Sequence, residues 1–341
     1  PLPHAHPGPA DQTRDAGVGK PAGGDGWDWH PRLVPLGIWD DTGLQVRNES
    51  HVAELHVGST LDDDLQGADL RIAADGRECG GCQSDWELLH PEGHPAARAR
   101  GPAGKRLTAR VEHPRLWWTH DHGEPVLYTS RYRLLDAQGK ELECVEQQIG
   151  FRRIRLVMNE GAWSEPKGFP KTRSAAPAQI ELNGRRIFAK GSNWVCPELF
   201  PGTVGEERCK ELIDIAVATN FNILRSWGGG IVNKDCFFEY CDRRGILVWQ
   251  EFPRAWNGYP DDPHYLATRG QEATAIIRRL RRHPSLAIWC GGNELFNNWS
   301  GMTDQSLALR LLNALCYRLS PEIPFNATSP LNGMAHGNYL F

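Results

Sequence analysis

The second half of the sequence alternates short apolar runs with longer segments of helical period, and this alternation constrains the fold most. The apolar runs are residues 188–194, 222–227, 247–252, 286–290 and 325–329. A strand that lies parallel to its predecessor needs a long crossover, usually a helix, and the intervening segments have that length and period. The sequence beyond residue 179 therefore predicts about five parallel βα units.

Local signals set the ends of the predicted helices. Thr203 and Glu206 have the spacing of a capping box at the start of the first helix. Gly245 follows the second helix, where a C-cap glycine belongs, and Pro284 stops the third. The helices are predicted at residues 206–219, at 235–244, up to about 283, and at 305–319.

The first half of the sequence has a different rhythm. Between about residues 44 and 156, segments of period two such as 51–57 and 128–134 are separated by Gly, Asp and Pro turns. Alternation at this spacing predicts an antiparallel β-sandwich. Residues 1–25 are rich in Pro, Gly and Ala without a hydrophobic period, and we interpret them as loop or linker.

Composition excludes several classes of protein. Hydrophobic residues make up 40% of the chain and charged residues 23%, which is the balance of a soluble globular protein. No apolar run is long enough to cross a bilayer, and a net charge of −4 argues against a nucleic-acid partner. The thirteen tryptophans suit the carbon face of a sugar ring as well as a protein core.

The nine cysteines are scattered, which favours reduced thiols and a cytoplasmic location. Cys79 and Cys82 form a lone Cys-Gly-Gly-Cys string. A structural zinc site would need a second pair of ligands at similar spacing, and none is evident. We interpret the string as a turn with two bystander thiols and predict no metal.

Polar and aromatic residues follow the predicted strands. The carboxyl ends of parallel strands meet on one face of a barrel, so these residues should form a cluster there. Hydrolysis of a glycoside needs a carboxylic acid to protonate the leaving oxygen and a second carboxylate on the opposite side. The strand ends carry Asn193-Trp194, Arg225-Ser226-Trp227, Gln250-Glu251, Asn293-Glu294 and the polar stretch after Ser329.

Glu294 is the best candidate for the acid. It follows the apolar strand 286–290 and a Gly-Gly pair that opens space around it. Burial among Trp and apolar neighbours would raise the pKa of its carboxyl, as proton donation near neutral pH requires. The alternative is a strand-end Glu that caps the following loop or helix.

Several strings resemble those of glycoside hydrolase family 2, in particular its β-mannosidase branch, and they occur in the family's order. The string at residues 289–294 (WCGGNE) resembles the family's acid/base motif. The further strings are 26–29 (GWDW), 114–118 (PRLWW), 149–152 (IGFR), 190–194 (KGSNW), 224–230 (LRSWGGG) and 245–252 (GILVWQEF).

The resemblance implies a β plus α/β fold of several domains. Residues 1–48 would be the C-terminal remnant of a sugar-binding jelly-roll, and residues 49–178 an immunoglobulin-like sandwich. Residues 179–341 would form the first five or so units of a (β/α)8 barrel. A closed barrel of this kind needs about 250 residues, so we expect the sequence to be part of a longer protein.

The resemblance also assigns roles to individual residues. Glu294 would be the acid/base of a retaining double displacement, and Asn293 would bind the sugar 2-hydroxyl. Trp227 would pack on the sugar in the −1 site, and Trp194 is a further candidate at the rim. Arg225 would brace the carboxylates; its alternative is a structural ion pair in the barrel mouth.

Two more residues are implied with structural alternatives. Asp28 would reach the far hydroxyls of the terminal sugar, or cap a turn. Trp299 would form a wall of the pocket, or pack in the core. Trp117 and Trp118 fit the sandwich core better than a site.

The sequence departs from the family in two places. The string after Trp29 reads His30-Pro31 where the family usually has Gly-Pro. The family's nucleophile Glu follows a later strand that this sequence does not contain, and Glu322 is too close to Glu294 to be that residue. We therefore expect the isolated chain to be inactive.

The leading hypothesis is a β-mannosidase that removes terminal non-reducing β-mannose from oligosaccharides without a metal or cofactor. The alternatives are another exo-β-glycosidase of the family, acting on a glucosaminide or galactoside, and a non-catalytic carbohydrate-binding protein. The expected partner is a glycoside, and neither nucleic acid nor membrane is expected. The sequence predicts no oligomeric state.

Overall fold

The computed structural model describes residues 37–161, 178–296 and 300–329. Most of the predicted jelly-roll remnant at residues 1–48 therefore lies outside the described residues. None of the helices in the described ranges is long and apolar enough to cross a membrane.

Two antiparallel sheets form the N-terminal part, as the period-two alternation predicted. They enclose one core, which contains Trp86, Leu70, Ile72 and Tyr128. The first sheet has the order β1 (His51–Leu61), β2 (Gly67–Arg77), β5 (Leu107–Glu112). The second has the order β4 (Pro95–Pro102), β3 (Gln83–Leu89), β6 (Tyr128–Leu135), β7 (Glu141–Ile149). An immunoglobulin-like topology stays a prediction.

A small antiparallel sheet follows the sandwich. Its order is β10 (Arg185–Ile187), β9 (Ala178–Leu182), β8 (Ile154–Met158). Because β8 pairs with β9, this sheet joins residues on either side of the boundary predicted near 178. The domain boundaries themselves stay predictions.

A five-stranded parallel sheet forms the C-terminal part, and it confirms the predicted alternation of strands and helices. The strands lie in chain order: β11 (Gly191–Trp194), β12 (Ile223–Ser226), β13 (Leu247–Glu251), β14 (Leu286–Cys290) and β15 (Phe325–Asn326). The helices between them are α1 (Glu206–Ala218), α2 (Asp235–Arg244), α3 (Pro263–Leu280) and α4 (Leu307–Leu319). Closure of this sheet into an eight-stranded barrel stays a prediction.

One helix boundary is confirmed and another is wrong. Gly245 ends α2 in the left-handed conformation, with φ of 66°. The capping box at Thr203 does not form: the N-cap of α1 is Gly205, without a side-chain cap. Thr203 instead lies in a 3-10 turn and donates its hydroxyl to the carbonyl of Phe200 (2.7 Å). The hydroxyl of Thr203 is therefore engaged by this turn and does not cap the helix.

Buried polar contacts join the sandwich to the parallel sheet. Trp117 is fully buried as predicted, but it packs in the core of the parallel sheet and its helices and not in the sandwich core, and its indole donates to the carbonyl of Asp242 on α2 (2.8 Å). Arg152 donates to the carbonyls of Pro284 and Leu286, and Asn183, in the turn between β9 and β10 of the small sheet, donates to the carbonyl of Trp117 (2.9 Å). These contacts fix the end of the parallel sheet where β14 begins against the sandwich, opposite the strand ends that carry the candidate site.

The cysteines form no disulfides in the structure: all nine are free. Cys79 and Cys82 lie in a tight turn, in which the amide of Cys82 donates to the carbonyl of Cys79 (3.1 Å). This geometry agrees with the interpretation of the string as a turn.

Candidate active site

Polar side chains from four strand ends meet around Arg225, near the end of β12. The guanidinium is 7% exposed and donates to Asn193 on one side (2.8 Å) and to Asn293 on the other (2.6 Å). It also donates to the hydroxyl of Ser329 (2.8 Å) and to the carboxylate of Glu251. The planar fork of arginine suits such a role because it presents several donors in fixed directions.

Glu251, the last residue of β13, is the anion that balances Arg225. Its fully buried carboxylate accepts two bonds from Arg225 (3.0 Å each), one from the amide of Gly228 (2.7 Å) and one from the hydroxyl of Ser329 (2.6 Å). A buried charge is tolerated when it is paired and fully hydrogen-bonded, and these four donors meet that requirement. Glu251 is therefore a rigid support.

The glycine after Trp227 is required by this packing. A Cβ on Gly228 would lie 2.5 Å from the carbonyl oxygen of Arg254 and 2.8 Å from that of Phe252. Only glycine lets the main chain approach closely enough for its amide to reach Glu251.

Asn293 is held in one orientation. Its main-chain amide donates to the carbonyl of Arg254 (2.9 Å), and its main-chain carbonyl accepts from the amide of Trp256 (2.8 Å). Its side-chain oxygen accepts from Arg225, which can only donate, so the NH2 group points the other way. Within the described residues no partner occupies that NH2 group, which leaves it available to a ligand.

Glu294 has the features of a functional carboxylic acid. It is half-buried, and its φ of 55° lies in the left-handed region, which is costly for a residue other than glycine and is typical of functional sites. Its amide donates to the carbonyl of Ser329 (2.6 Å), and its carbonyl accepts from the hydroxyl of Ser300 (3.0 Å). These two bonds hold the strained backbone in place.

The surroundings of Glu294 favour its protonated form. Burial raises the pKa of the Glu294 carboxyl, the charge of Arg225 opposes that rise, and the charge of Glu251 adds to it. Because Glu251 already neutralises Arg225, burial decides the direction. The carboxyl can therefore hold a proton at a higher pH than an exposed glutamate.

Trp227, directly after β12, forms an aromatic wall. Its ring stacks on Trp256, with centroids 5.5 Å apart and planes 29° apart. The ring lies over Gly229, where a Cβ would come within 2.2 Å of it. Since the amide of Trp256 is bonded to Asn293, the aromatic pair lies beside the polar cluster.

The inclusion of Trp194 in the site is corrected by the structure. Successive side chains of a strand point to opposite faces of the sheet, and Asn193 points to Arg225. Trp194 therefore faces the helices, where its ring packs on Phe237 (4.6 Å) and its indole donates to Asn233 (3.0 Å). It belongs to the core.

The remaining predicted residues have different outcomes. Asp28 and Trp299 lie outside the described residues. Arg225 forms the ion pair that was its structural alternative, and it also donates to Asn293; the bracing of the catalytic carboxylates stays a prediction.

Sequence reasoning missed four members of the cluster: Glu251, Asn193, Ser329 and Trp256. Glu251 ends β13, Asn193 is the penultimate residue of β11, and Ser329 lies three residues beyond β15; their positions were noted but no role was assigned. Trp256 lies five residues beyond β13, and no sequence signal distinguished it from the other tryptophans.

Comparisons with known proteins agree with this fold. The model of Glycosyl hydrolases family 2 matches residues 50–152. β-Mannosidase from Mus musculus is 31% identical over 332 residues, and β-mannosidase from Rattus norvegicus is 29% identical over the same length. The matches cover 90% of this chain but 37% and 36% of those relatives.

Solved structures give the same result. The crystal structure of a β-D-mannosidase from Dictyoglomus thermophilum has a TM-score of 0.79 and 31% identity, covering 91% of this chain and 39% of that one. A β-glucuronidase from Bacteroides uniformis, at 22% identity and a TM-score of 0.66, shares the fold over 84% of this chain and 34% of that one.

The chain belongs to glycosyl hydrolases family 2. Within that family it is similar to β-mannosidases, at about 30% identity over most of its length. It spans little more than a third of the length of the β-mannosidases that it matches.

Proposed function

We propose that this chain carries the acid/base half of the active site of a retaining exo-β-glycosidase that removes terminal β-mannose. The observation that carries the proposal is Glu294: a half-buried carboxyl with a raised pKa, held after β14 beside the oriented amide of Asn293. The similarity to β-mannosidases supports the choice of sugar.

In this mechanism Glu294 protonates the leaving oxygen in the first step and removes a proton from water in the second. The NH2 group of Asn293 donates to the sugar 2-hydroxyl, a contact that can strengthen in the transition state. Trp227 supports the apolar face of the ring in the −1 site. Arg225 acts through Asn293 and is a positioning residue.

The nucleophile is a separate carboxylate. Glu251 cannot take that role, because its oxygens are fully buried and accept four hydrogen bonds from Arg225, Gly228 and Ser329. A retaining mechanism needs the two carboxyls about 5–5.5 Å apart across the sugar. We place the nucleophile outside this sequence, after a later strand of a (β/α)8 barrel.

We propose the following domains from the resemblance to the family. Residues 49–178 form an immunoglobulin-like sandwich, and residues 179–341 form the first half of the barrel. Residues 1–48 complete a preceding jelly-roll that contributes Asp28 to the sugar site.

A panel of p-nitrophenyl glycosides tests the sugar specificity of the full-length protein. We expect release of nitrophenol from the β-mannoside, with kcat/KM at least about 100-fold above that for the β-glucoside, β-galactoside, β-glucosaminide and β-glucuronide, because buried polar groups discriminate strongly between hydroxyl positions. Comparable cleavage of another glycoside would contradict the assignment of mannose as the sugar. No cleavage of any glycoside would contradict the proposal as a whole.

Gly229→Ala is expected to impair sugar binding. The new methyl would lie 2.2 Å from two ring atoms of Trp227, so the ring must move from the −1 site. We expect KM for the β-mannoside to rise about tenfold, the effect of about 1.4 kcal/mol of lost contact.

Gly230→Ala is the matched control, because the nearest atom to its Cβ is 3.4 Å away. It should leave KM within about twofold of the wild type. Equal effects of the two substitutions would show that the position of Trp227 is unimportant for binding.

A further inference from the structure

A cleft between the sandwich and the parallel sheet has an unbalanced positive charge. It has a volume of about 360 Å³ and is lined by strands β1 and β2, the turn before β5, and the chain that follows α3 and α4. Six arginines line it: Arg71, Arg106, Arg152, Arg281, Arg282 and Arg318. Glu322 is the acidic residue in the lining.

Two of the six arginines are neutralised. Arg281 forms an ion pair with Glu54 (2.8 Å), and Arg282 lies 3.4 Å from Glu239. Within the described ranges the other four form no ion pair, and one carboxylate in the lining cannot balance them. The concentration is notable in a chain whose net charge is −4.

Helix termini explain only part of this pattern. Cations stabilise the C-terminal end of a helix dipole, which accounts for Arg281, Arg282 and Arg318 after α3 and in α4. Arg71 lies on β2 and Arg106 precedes β5, so neither has a helix end to stabilise. Their convergence on the same cleft needs another cause.

Among the described residues, one arginine of the cleft wall has a guanidinium nitrogen available to a ligand. Arg152 uses Nε and Nη2 to bind main-chain carbonyls, which leaves its Nη1 for a ligand. Burial, and to a lesser extent the charge of Arg281, lower the pKa of His56 to about 4, so the imidazole in the lining is neutral near pH 7 and adds no charge to the cleft.

We propose that this cleft binds a small oxyanion, the phosphate or sulfate group of an ester whose organic part fills the remaining volume. Guanidinium groups match the oxygens of phosphate and sulfate in pairs, and the volume lies in the range of small-molecule sites. The cleft lies at the start of β14, whereas Glu294 follows its end. The strand, about 16 Å long at 3.3 Å per residue, separates the two sites.

The test is calorimetric titration of the full-length protein at constant ionic strength, so that general screening is equal in every titration. The ligands are glucose 6-phosphate, inorganic phosphate and inorganic sulfate, with glucose as the uncharged control. We expect saturable binding of glucose 6-phosphate with Kd of about 1 mM or tighter, and none of glucose. Tighter binding of the inorganic ions than of the ester would assign the site to the free oxyanion.

Arg106→Ala should weaken this binding at least tenfold, whereas Lys105→Ala, which removes the adjacent charge outside the cleft, should not. A second pair, Arg318→Ala against Arg310→Ala, makes the same comparison on α4. Hydrolysis of p-nitrophenyl β-mannoside should be unchanged in all four variants, since none touches the Glu294 site. Absence of saturable binding in the wild type, or equal loss in both members of each pair, would overturn the proposal.

Discussion

Replacing Glu251 by glutamine should lower the free energy of unfolding of the full-length protein by about 3–5 kcal/mol, the usual effect of removing one partner of a buried ion pair. The guanidinium of Arg225 would remain buried without its anion, and the amide of Gly228 would lose a charged acceptor. Urea denaturation monitored by circular dichroism measures the change as a shift in the midpoint at constant slope.

Two further variants separate the ion pair from general damage. Glu239→Gln removes an exposed carboxylate that pairs with Arg243 and Arg282, and it should change stability by about 0–1 kcal/mol. Arg225→Met in the Glu251→Gln background removes the unpaired charge and should recover part of the lost stability, but not the activity, because Asn293 loses its brace. Equal destabilisation by Glu239→Gln and Glu251→Gln would rule out a special role for the buried pair.

Glu294→Gln should lower kcat/KM for a β-mannoside with a poor leaving group by about 10²–10⁴, the usual contribution of general acid–base catalysis. The loss should be smaller for p-nitrophenyl β-mannoside, whose leaving group needs little protonation. The wild type should lose activity as pH rises through the raised pKa of Glu294, because the acid must be protonated in the first step. That alkaline limb should disappear in the variant.

Azide rescue distinguishes an acid/base from a structural residue. In Glu294→Ala, azide can attack the glycosyl-enzyme without a general base and should yield a β-glycosyl azide with faster turnover. Asn293→Ala offers a comparison, since it removes the proposed contact to sugar but keeps the proposed base, and azide should not rescue it. An active Glu294→Ala enzyme indifferent to azide would contradict the assigned role.

Glu294→Gln should not destabilise the fold, in contrast to Glu251→Gln. A carboxyl whose pKa is raised by burial binds its proton more tightly in the folded state, so its ionisation destabilises the fold as pH rises above the unfolded value. Glu294→Gln should therefore leave Tm equal or higher at pH 7, with no gain at pH values where both states are protonated. The active-site carboxyl is maintained at a cost in stability.

Strand and helix positions were largely predictable from apolar periodicity. The strand β14 has its predicted bounds, because an apolar run between two turn signals defines both ends. The strand β11 begins at Gly191 and not at residue 188. The chain before it is held by Asn222, whose side-chain oxygen accepts from the amide of Lys190 (2.8 Å). At Lys190 the side chain of Asn222, which is distant in the sequence, takes the place of a strand partner. The local sequence pattern gives no sign of this contact.

The position of the candidate site was predictable from the sequence, but its hydrogen bonds and ion pairs were not. Strand ends locate Arg225 and Glu294 on one face, yet the pairing of Arg225 with Glu251 depends on the register of adjacent strands. Trp194 shows the same limit, since a displacement of one residue moves a side chain to the other face of a sheet.

The main-chain junction between the sandwich and the parallel sheet has an evolutionary consequence. Trp117, Asn183 and Arg152 bind carbonyl groups, which every residue type supplies, so neighbouring positions can drift freely while the bond is kept. The same bonds tolerate almost no change in the path of the backbone. Recombination that exchanged the sandwich alone would break them, so the two parts should descend through the family as one inherited block.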